Sequence, residues 1–318
     1  MEPVKFRVIP YAEIEEVLGK DFVPMSDLEE WLQPRHDILD NVDIFCENCR
    51  STDQDIKNFD LFTRVYEDGP DVVYVLGFYL ELFEFHNRPD DIPKLAEYYS
   101  KKYPNNLTIF HWNHDNDYTK YGQYVEKYPN IAVVNFGFTS KKHLNDILTS
   151  FWCINTKEYN EPKTKFAGFI GNPNNPLRMN LLNSIRQFNN DDIFHYSTGY
   201  TPDQYYKKVS ECVFSLCPLG GGGGGGFSYR FFECFHLNTI PVLMVDKITY
   251  PYEDKVDWDD IIVRLPEASA SDLNYVFQVL NSKNSPKMLD NIKKVREKFT
   301  LKGVQEEVHE YIHNNQPR

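Results

Sequence analysis

The sequence predicts an α/β protein built on parallel β-sheets, and three observations carry that prediction. Six short apolar runs, rich in β-branched and aromatic residues, are each bounded by polar or turn residues, as buried parallel strands are. Segments with helical spacing separate them, and strand alternating with helix means a parallel sheet covered by helices. A polar stretch, Asn155–Lys165 (NTKEYNEPKTK), interrupts the alternation near the middle of the chain. It reads as a linker between two doubly wound halves. The boundaries expected are 1–158 for the first domain, 159–285 for the second and 286–318 for a helical tail.

In chain order the strands are Asp71–Phe78, Asn106–Trp112 and Ile131–Phe138 in the first half. Lys165–Gly171, Cys212–Pro218 and Thr239–Asp246 follow in the second. The segment DIPKLAEYYSKKY after the first run and PLRMNLLNSIRQF after the fourth have helical spacing. TPDQYYKKVSE precedes the fifth run, with Thr201 as N-cap and Pro202 at the first helical position. The tail opens at Ser285-Pro286, again a cap followed by proline, and Met288, Ile292, Val295 and Phe299 share one face. After Gly303 a second helix carries Val304, Val308 and Ile312, and these helices are expected to pack back across both halves.

Composition excludes several classes. The formal net charge of −13 argues against a nucleic-acid binder, which needs a basic surface. The basic clusters YYKKVSE and NIKKVREKF sit at helical spacing and read as solvated faces. No apolar run approaches the length of about 18 residues that a membrane span requires, and the N-terminus lacks the apolar core of a signal peptide. A soluble protein with reduced thiols is expected. Cys46 and Cys49 form a lone CxxC, without the second pair that a zinc site needs.

The chemistry is most legible between Cys212 and Asp246. An apolar strand runs into seven consecutive glycines, Gly220–Gly226, and then into SYRFFECFH, which reads as a helix. A loop entering a helix N-terminus offers free N–H groups to an anion, and glycine lets the backbone approach closely. Ser228 stands at the cap, with Tyr229 beside it. Arg230 lies in the first turn, where a bidentate contact to phosphate is natural, and Glu233 lies one turn on. A carboxylate does not bind phosphate but accepts hydrogen bonds from the two hydroxyls of a ribose. Serine, arginine and glutamate at this spacing therefore point to a nucleotide. No Gly-Lys-Ser/Thr follows the glycines, so this is not a Walker A loop. A competing reading is a surface loop before an ordinary amphipathic helix, with Arg230 and Glu233 paired across one turn.

The same residues carry a family resemblance. Cys217-Pro218, Gly220, Ser228, Arg230 and Glu233, then Ile240-Pro241-Val242, Asp246, Pro251-Tyr252 and Asp257-Trp258, resemble the C-terminal half of exostosin-like glycosyltransferases. KFAGFIGNPNNPLRMNLL is similar to the family's strand that ends in glycine and is followed by an arginine, here Arg178. The glycine loop is longer than the family's, and Leu219 stands where a basic residue is common. The resemblance implies a GT-B arrangement: two Rossmann-like domains facing a central cleft, the second holding a UDP-sugar and the first a glycan acceptor. It implies inverting transfer with no metal required and no further cofactor. Gly220, Ser228, Tyr229, Arg230, Glu233 and Arg178 would then bind the donor, with Tyr200 stacking on the base. Lack of an anchor is similar to the small soluble, cytoplasmic exostosin-like enzymes of some large viruses. By that likeness UDP-xylose is the first donor to try.

Inverting transfer needs a general base for the acceptor hydroxyl, expected on a first-half loop beyond a strand end. Glu81, just past the strand in VVYVLGFYLELFEFHNRPDD, is the first candidate and Asp91 the second. A second cluster, His111, His114, Asp115 and Asp117, contains an Asp-x-Asp that would bind a divalent ion in a metal-dependent transferase. The remaining alternative is a nucleotide-sugar-binding protein without activity.

Overall fold

The computed structural model describes residues 2–19, 61–80, 88–112, 118–135, 142–148, 159–220 and 227–316. In the first half these are β1 (Val4–Ile9), α1 (Tyr11–Leu18), β2 (Phe62–Arg64), β3 (Val72–Tyr79), α2 (Asp91–Lys102) and β4 (Thr108–Trp112). Then come α3 (Thr119–Val125), β5 (Ile131–Asn135) and β6 (Asp146–Leu148). The strands form one parallel sheet in the order β2-β1-β3-β4-β5-β6. Both faces are covered, which is why the runs read as continuous apolar stretches. Val73, Val75, Ile109 and Val134 point to one core, and Val72, Tyr74, Phe110 and Val133 to the other.

The second sheet contains β7 (Lys165–Ile170), β8 (Phe194–Ser197), β9 (Cys212–Pro218), β10 (Ile240–Met244) and β11 (Val263–Leu265). It too is parallel, in the order β11-β10-β9-β7-β8. The α/β class with two parallel sheets is therefore as the sequence predicts. Between the strands lie α4 (Pro176–Phe188), α5 (Pro202–Ser210) and α6 (Tyr229–Glu233), and α7 (Leu273–Asn281) follows β11. Asn175 caps α4 by accepting from Arg178 N at 2.9 Å, with Pro176 in the first turn. Thr201 stands at the N-cap of α5, where its N–H donates to Gln204 Oε1 at 3.1 Å.

Three local expectations are corrected. The helix expected over SYRFFECFH is regular only to Glu233 and continues as tight turns, with Phe235 N bonded to Phe232 O and His236 N to Glu233 O. Phe231, Phe232, Cys234, Phe235 and Leu237 are each at most 1% exposed. A straight amphipathic helix buries one face, whereas the turns let consecutive aromatic residues all enter the core. In the tail, Asn284 rather than Ser285 caps α8 (Ser285–Val295), accepting from Lys287 N at 3.2 Å. Gly303 lies inside the first turn of α9 (Leu301–Asn315), not before it. A Cβ at Gly303 would come within 2.3 Å of Glu297 O, so glycine permits the close approach of the preceding turn.

The tail touches both cores. Phe299 stacks on Phe235 with ring centroids 4.3 Å apart, in the core of the second sheet. Val304, Val308 and Ile312 are fully buried against Val4, Phe6 and Val73 of the first sheet. Lys255 reaches from the second half to Glu307 at 2.7 Å and Glu310 at 2.9 Å. The described part of the polar stretch, from Tyr159 on, is bonded to the second sheet. Lys163 Nζ donates to the carbonyls of Ser210, Cys212 and Asn238 at 2.7, 2.9 and 2.5 Å and to Thr239 Oγ1 at 3.2 Å.

Candidate functional site

In the second sheet β8 and β9 flank β7 on opposite sides, so the strand order reverses there. In open parallel sheets ligands bind beyond the carboxyl ends of the strands at such a point. Here the carboxyl ends of these three strands border a cavity of about 780 Å³. All seven residues expected to bind the donor line it: Arg178, Tyr200, Gly220, Ser228, Tyr229, Arg230 and Glu233.

Arg230 is the centre of the site. It is 8% exposed, and its guanidinium lies 5.1 Å from the centroid of the Phe169 ring, a cation–π contact that fixes its plane. Its Nε and Nη1 are buried and have no hydrogen-bond partner among the described residues. Ser228 occupies the N-cap position of α6, yet its side chain makes no cap bond, and Oγ is likewise buried without a partner. Buried donors are ordinarily satisfied, because leaving one unmatched costs about 1–3 kcal/mol, more when it is charged. Two such side chains at one cavity mark a place built for an acceptor. The competing reading of the helix is not realised, because Arg230 and Glu233 do not form an ion pair. Glu233 instead accepts from Tyr205 Oη at 2.9 Å and from Tyr206 Oη at 3.5 Å. Burial pushes its carboxyl above the usual range, opposed by the Tyr205 bond and by Arg230.

Arg178 lines the same cavity in a different way. Its Nε donates to Leu219 O at 3.2 Å, and its Nη1 to Asn174 Oδ1 at 2.9 Å and Asn172 O at 3.4 Å. Asn175 Nδ2 also donates to Leu219 O, at 3.2 Å. Arg178 therefore ties the β7–α4 connection to the start of the glycine loop. Residues Gly221–Gly226 lie outside the described residues. Tyr200 and Tyr229, both about two-fifths exposed, present their rings to solvent at the cavity edge.

Sequence reasoning did not single out Gly171, Thr198, Tyr205 and Tyr206, which also line the cavity. Gly171 was legible as the residue ending the strand in KFAGFIG. The two tyrosines were legible only as helix-face residues. Nothing in TPDQYYKKVSE shows that they meet Glu233 across the sheet end.

In the first half, Glu81, His114, Asp115, Asp117 and the cysteines Cys46, Cys49 and Cys153 lie outside the described residues. Asp91 opens α2 and is buried, with Arg88 Nε at 2.5 Å and Lys94 Nζ at 2.7 Å. His111 is buried in β4, and burial pulls its imidazole down to about 3. Cys212, Cys217 and Cys234 are free buried thiols. Among the described residues no helix is long and apolar enough to cross a membrane.

Comparison with known proteins finds partial relatives and one family. A probable glucuronosyltransferase of Oryza sativa subsp. japonica is 34% identical over 89 residues, covering 28% of this chain and 20% of the relative. A probable β-1,4-xylosyltransferase of Arabidopsis thaliana is 33% identical over 89 residues, covering 28% and 21%. The match thus spans about a fifth of the length of these curated relatives. Among solved structures, the GtfA/B complex aligns with 78% of this chain and 58% of its own at 10% identity and a TM-score of 0.47. The model of the exostosin GT47 domain matches residues 119–280, a span that holds the whole described cavity. With that model matched over just over half of its length, the chain belongs to the exostosin GT47 family.

Proposed function

We propose that the chain is a glycosyltransferase that binds a nucleoside-diphosphate sugar, a UDP-sugar first, in the cavity of its second half and passes the sugar to a glycan hydroxyl. The observation that carries this reading is the buried Arg230 guanidinium, with Nε and Nη1 unmatched at the cavity where Ser228 Oγ is unmatched too. Charge on the departing diphosphate grows as its bond to the anomeric carbon breaks. Donors already fixed in a site of low polarity stabilise that charge without reorganising. Arg230 and Ser228 would hold the diphosphate, Glu233 the ribose hydroxyls and Tyr200 the base. Arg178 would act by fixing the mouth of the glycine loop. With a protein cation on the leaving group, transfer proceeds without a metal. The acceptor attacks from the opposite face and the anomeric centre inverts, with a first-half carboxylate, Glu81 or Asp91, taking its proton.

Because the plant relatives are a probable glucuronosyltransferase and a probable xylosyltransferase, UDP-xylose and UDP-glucuronate are the donors to try first. Calorimetry with UDP and with these two sugars, followed by turnover with and without EDTA, tests the proposal. Arg230→Ala is expected to weaken UDP binding about tenfold to a hundredfold, as loss of a charged hydrogen-bonding group does. Unchanged UDP affinity in that variant would refute the site. Tight UDP binding without transfer or hydrolysis would identify a nucleotide-sugar-binding protein instead. Activity lost in EDTA and restored by a divalent ion would overturn the metal-independent mechanism.

A further inference from the structure

Arg230 and Glu233 are three residues apart, one cationic and one anionic, in a partly buried setting where opposite charges attract strongly. Left to themselves they would close on each other. The arginine would lose the donors aimed at the cavity, and the glutamate the lone pairs needed to read a sugar. The structure keeps them apart. Tyr205, on α5, approaches from the neighbouring strand–helix unit and donates its hydroxyl to Glu233 Oε2 at 2.9 Å. Its ring lies 5.3 Å from that of Tyr206, whose hydroxyl lies 3.5 Å from Oε1. A carboxylate has about four acceptor positions, so the Tyr205 phenol on Oε2 fixes its orientation and, with Tyr206 at Oε1, about two are left open.

We infer that Tyr205 is a positioning residue: it holds the Glu233 carboxylate off Arg230 and aims it at the vicinal diol of the ligand's ribose. The site's preference for a ribonucleotide over a deoxyribonucleotide then depends on a phenol that does not touch the ligand. This rests on the nucleotide reading of the cavity proposed above. It adds a second element, α5, to a specificity that the Ser-x-Arg-x-x-Glu segment would otherwise carry alone.

The test compares UDP and 2′-deoxy-UDP by calorimetry on the full chain, its Tyr205→Phe variant and its Glu233→Gln variant. The expected wild type binds UDP more tightly than 2′-deoxy-UDP. Tyr205→Phe, which removes one oxygen and keeps the ring, is expected to erase most of that preference, lowering UDP affinity about threefold to tenfold further than 2′-deoxy-UDP affinity. Glu233→Gln should erase it as well, and the double variant should add little, because both act through one contact. Equal weakening of the two ligands in Tyr205→Phe would show a merely structural tyrosine and overturn the inference, as would a retained preference. A wild type that binds UDP without preferring it over 2′-deoxy-UDP overturns the inference and leaves the nucleotide site standing. One that binds neither overturns both. If Tyr205→Phe does not fold, Glu233→Gln decides: a full preference there removes the group that Tyr205 is held to position.

Discussion

A Cβ placed on Gly171 would lie 2.0 Å from Nη2 of Arg230. The residue that ends β7 thus sets how far the guanidinium can reach, and its φ of +153° is one that side chains rarely adopt. The obstructing atom is the tip of a flexible side chain, so the fold can yield where the site cannot. Gly171→Ala is expected to cost about 1–3 kcal/mol of stability from the backbone alone. It should also weaken UDP binding by about tenfold or more, as Arg230 is displaced from the anion. Calorimetry and thermal unfolding of one preparation separate the two effects. A variant of normal UDP affinity would show that Arg230 does not need this space.

A glycine in a helix interior usually marks a place where alanine would stabilise, by about 1 kcal/mol. Gly122 of α3 is predicted to do the reverse. A Cβ there would meet the His143 ring at 2.1 Å, and that ring is held at both nitrogens, with Nδ1 2.9 Å from Glu126 Oε2 and Nε2 3.0 Å from Thr119 O. The ring cannot withdraw without losing both bonds. Gly122→Ala should therefore destabilise by about 1–3 kcal/mol despite its better helix propensity. Denaturant unfolding measures the sign, which is the informative quantity.

Lys163 supplies a pH dependence. Burial pulls its amine from 10.5 down to about 8. A base with a folded value below its unfolded one holds fewer protons when folded, so stability rises with pH between about 8 and 10.5 and is penalised in full below 8. The rise amounts to at most about 3 kcal/mol. Lys163→Met should flatten that part of the stability–pH curve. Near neutrality the variant loses the donor to the carbonyls of Ser210 and Asn238 but also sheds the burial penalty of the charged amine, so the two effects oppose and the net change there should be smaller than the loss of the hydrogen bonds alone. A wild type and variant whose curves run parallel from pH 8 to 10 would contradict this.

The tail offers a contrast between burial and charge. Val308 is fully buried against the first sheet, whereas Lys255 and Glu307 are each about a fifth exposed. Val308→Asp is expected to cost about 4 kcal/mol or more, since a charge would enter an apolar core. Lys255→Ala should cost about 1 kcal/mol or less, because partly exposed ion pairs contribute little. Equal losses in chemical unfolding would mean that the ion pairs, not the apolar face, hold the tail.

The second half was the more legible because its motif residues fall in one contiguous segment. Cys212–Pro218 emerges at its expected bounds. β1 was not foreseen, although Val4, Phe6 and Val8 alternate with Lys5 and Arg7 as an amphipathic strand does. β6 and β11 are three residues long and β8 four, too short for any period to declare itself. Ser228, Arg230 and Glu233 could be read from spacing because one turn of helix brings them together. Tyr205 could not, since its meeting with Glu233 depends on β8 and β9 lying on opposite sides of β7. Glu81, the first candidate for the base, falls outside the described residues.

The packing of Val304, Val308 and Ile312 on Val4, Phe6 and Val73 imposes an order on biosynthesis. On the ribosome the first sheet emerges early, but among the described residues the helix that covers one of its apolar faces is α9, made after the whole second sheet has been translated. The half that is synthesised first is finished second. Until then an exposed valine- and phenylalanine-bearing surface is the place where a chaperone would bind the nascent chain, or where two unfinished chains would stick together.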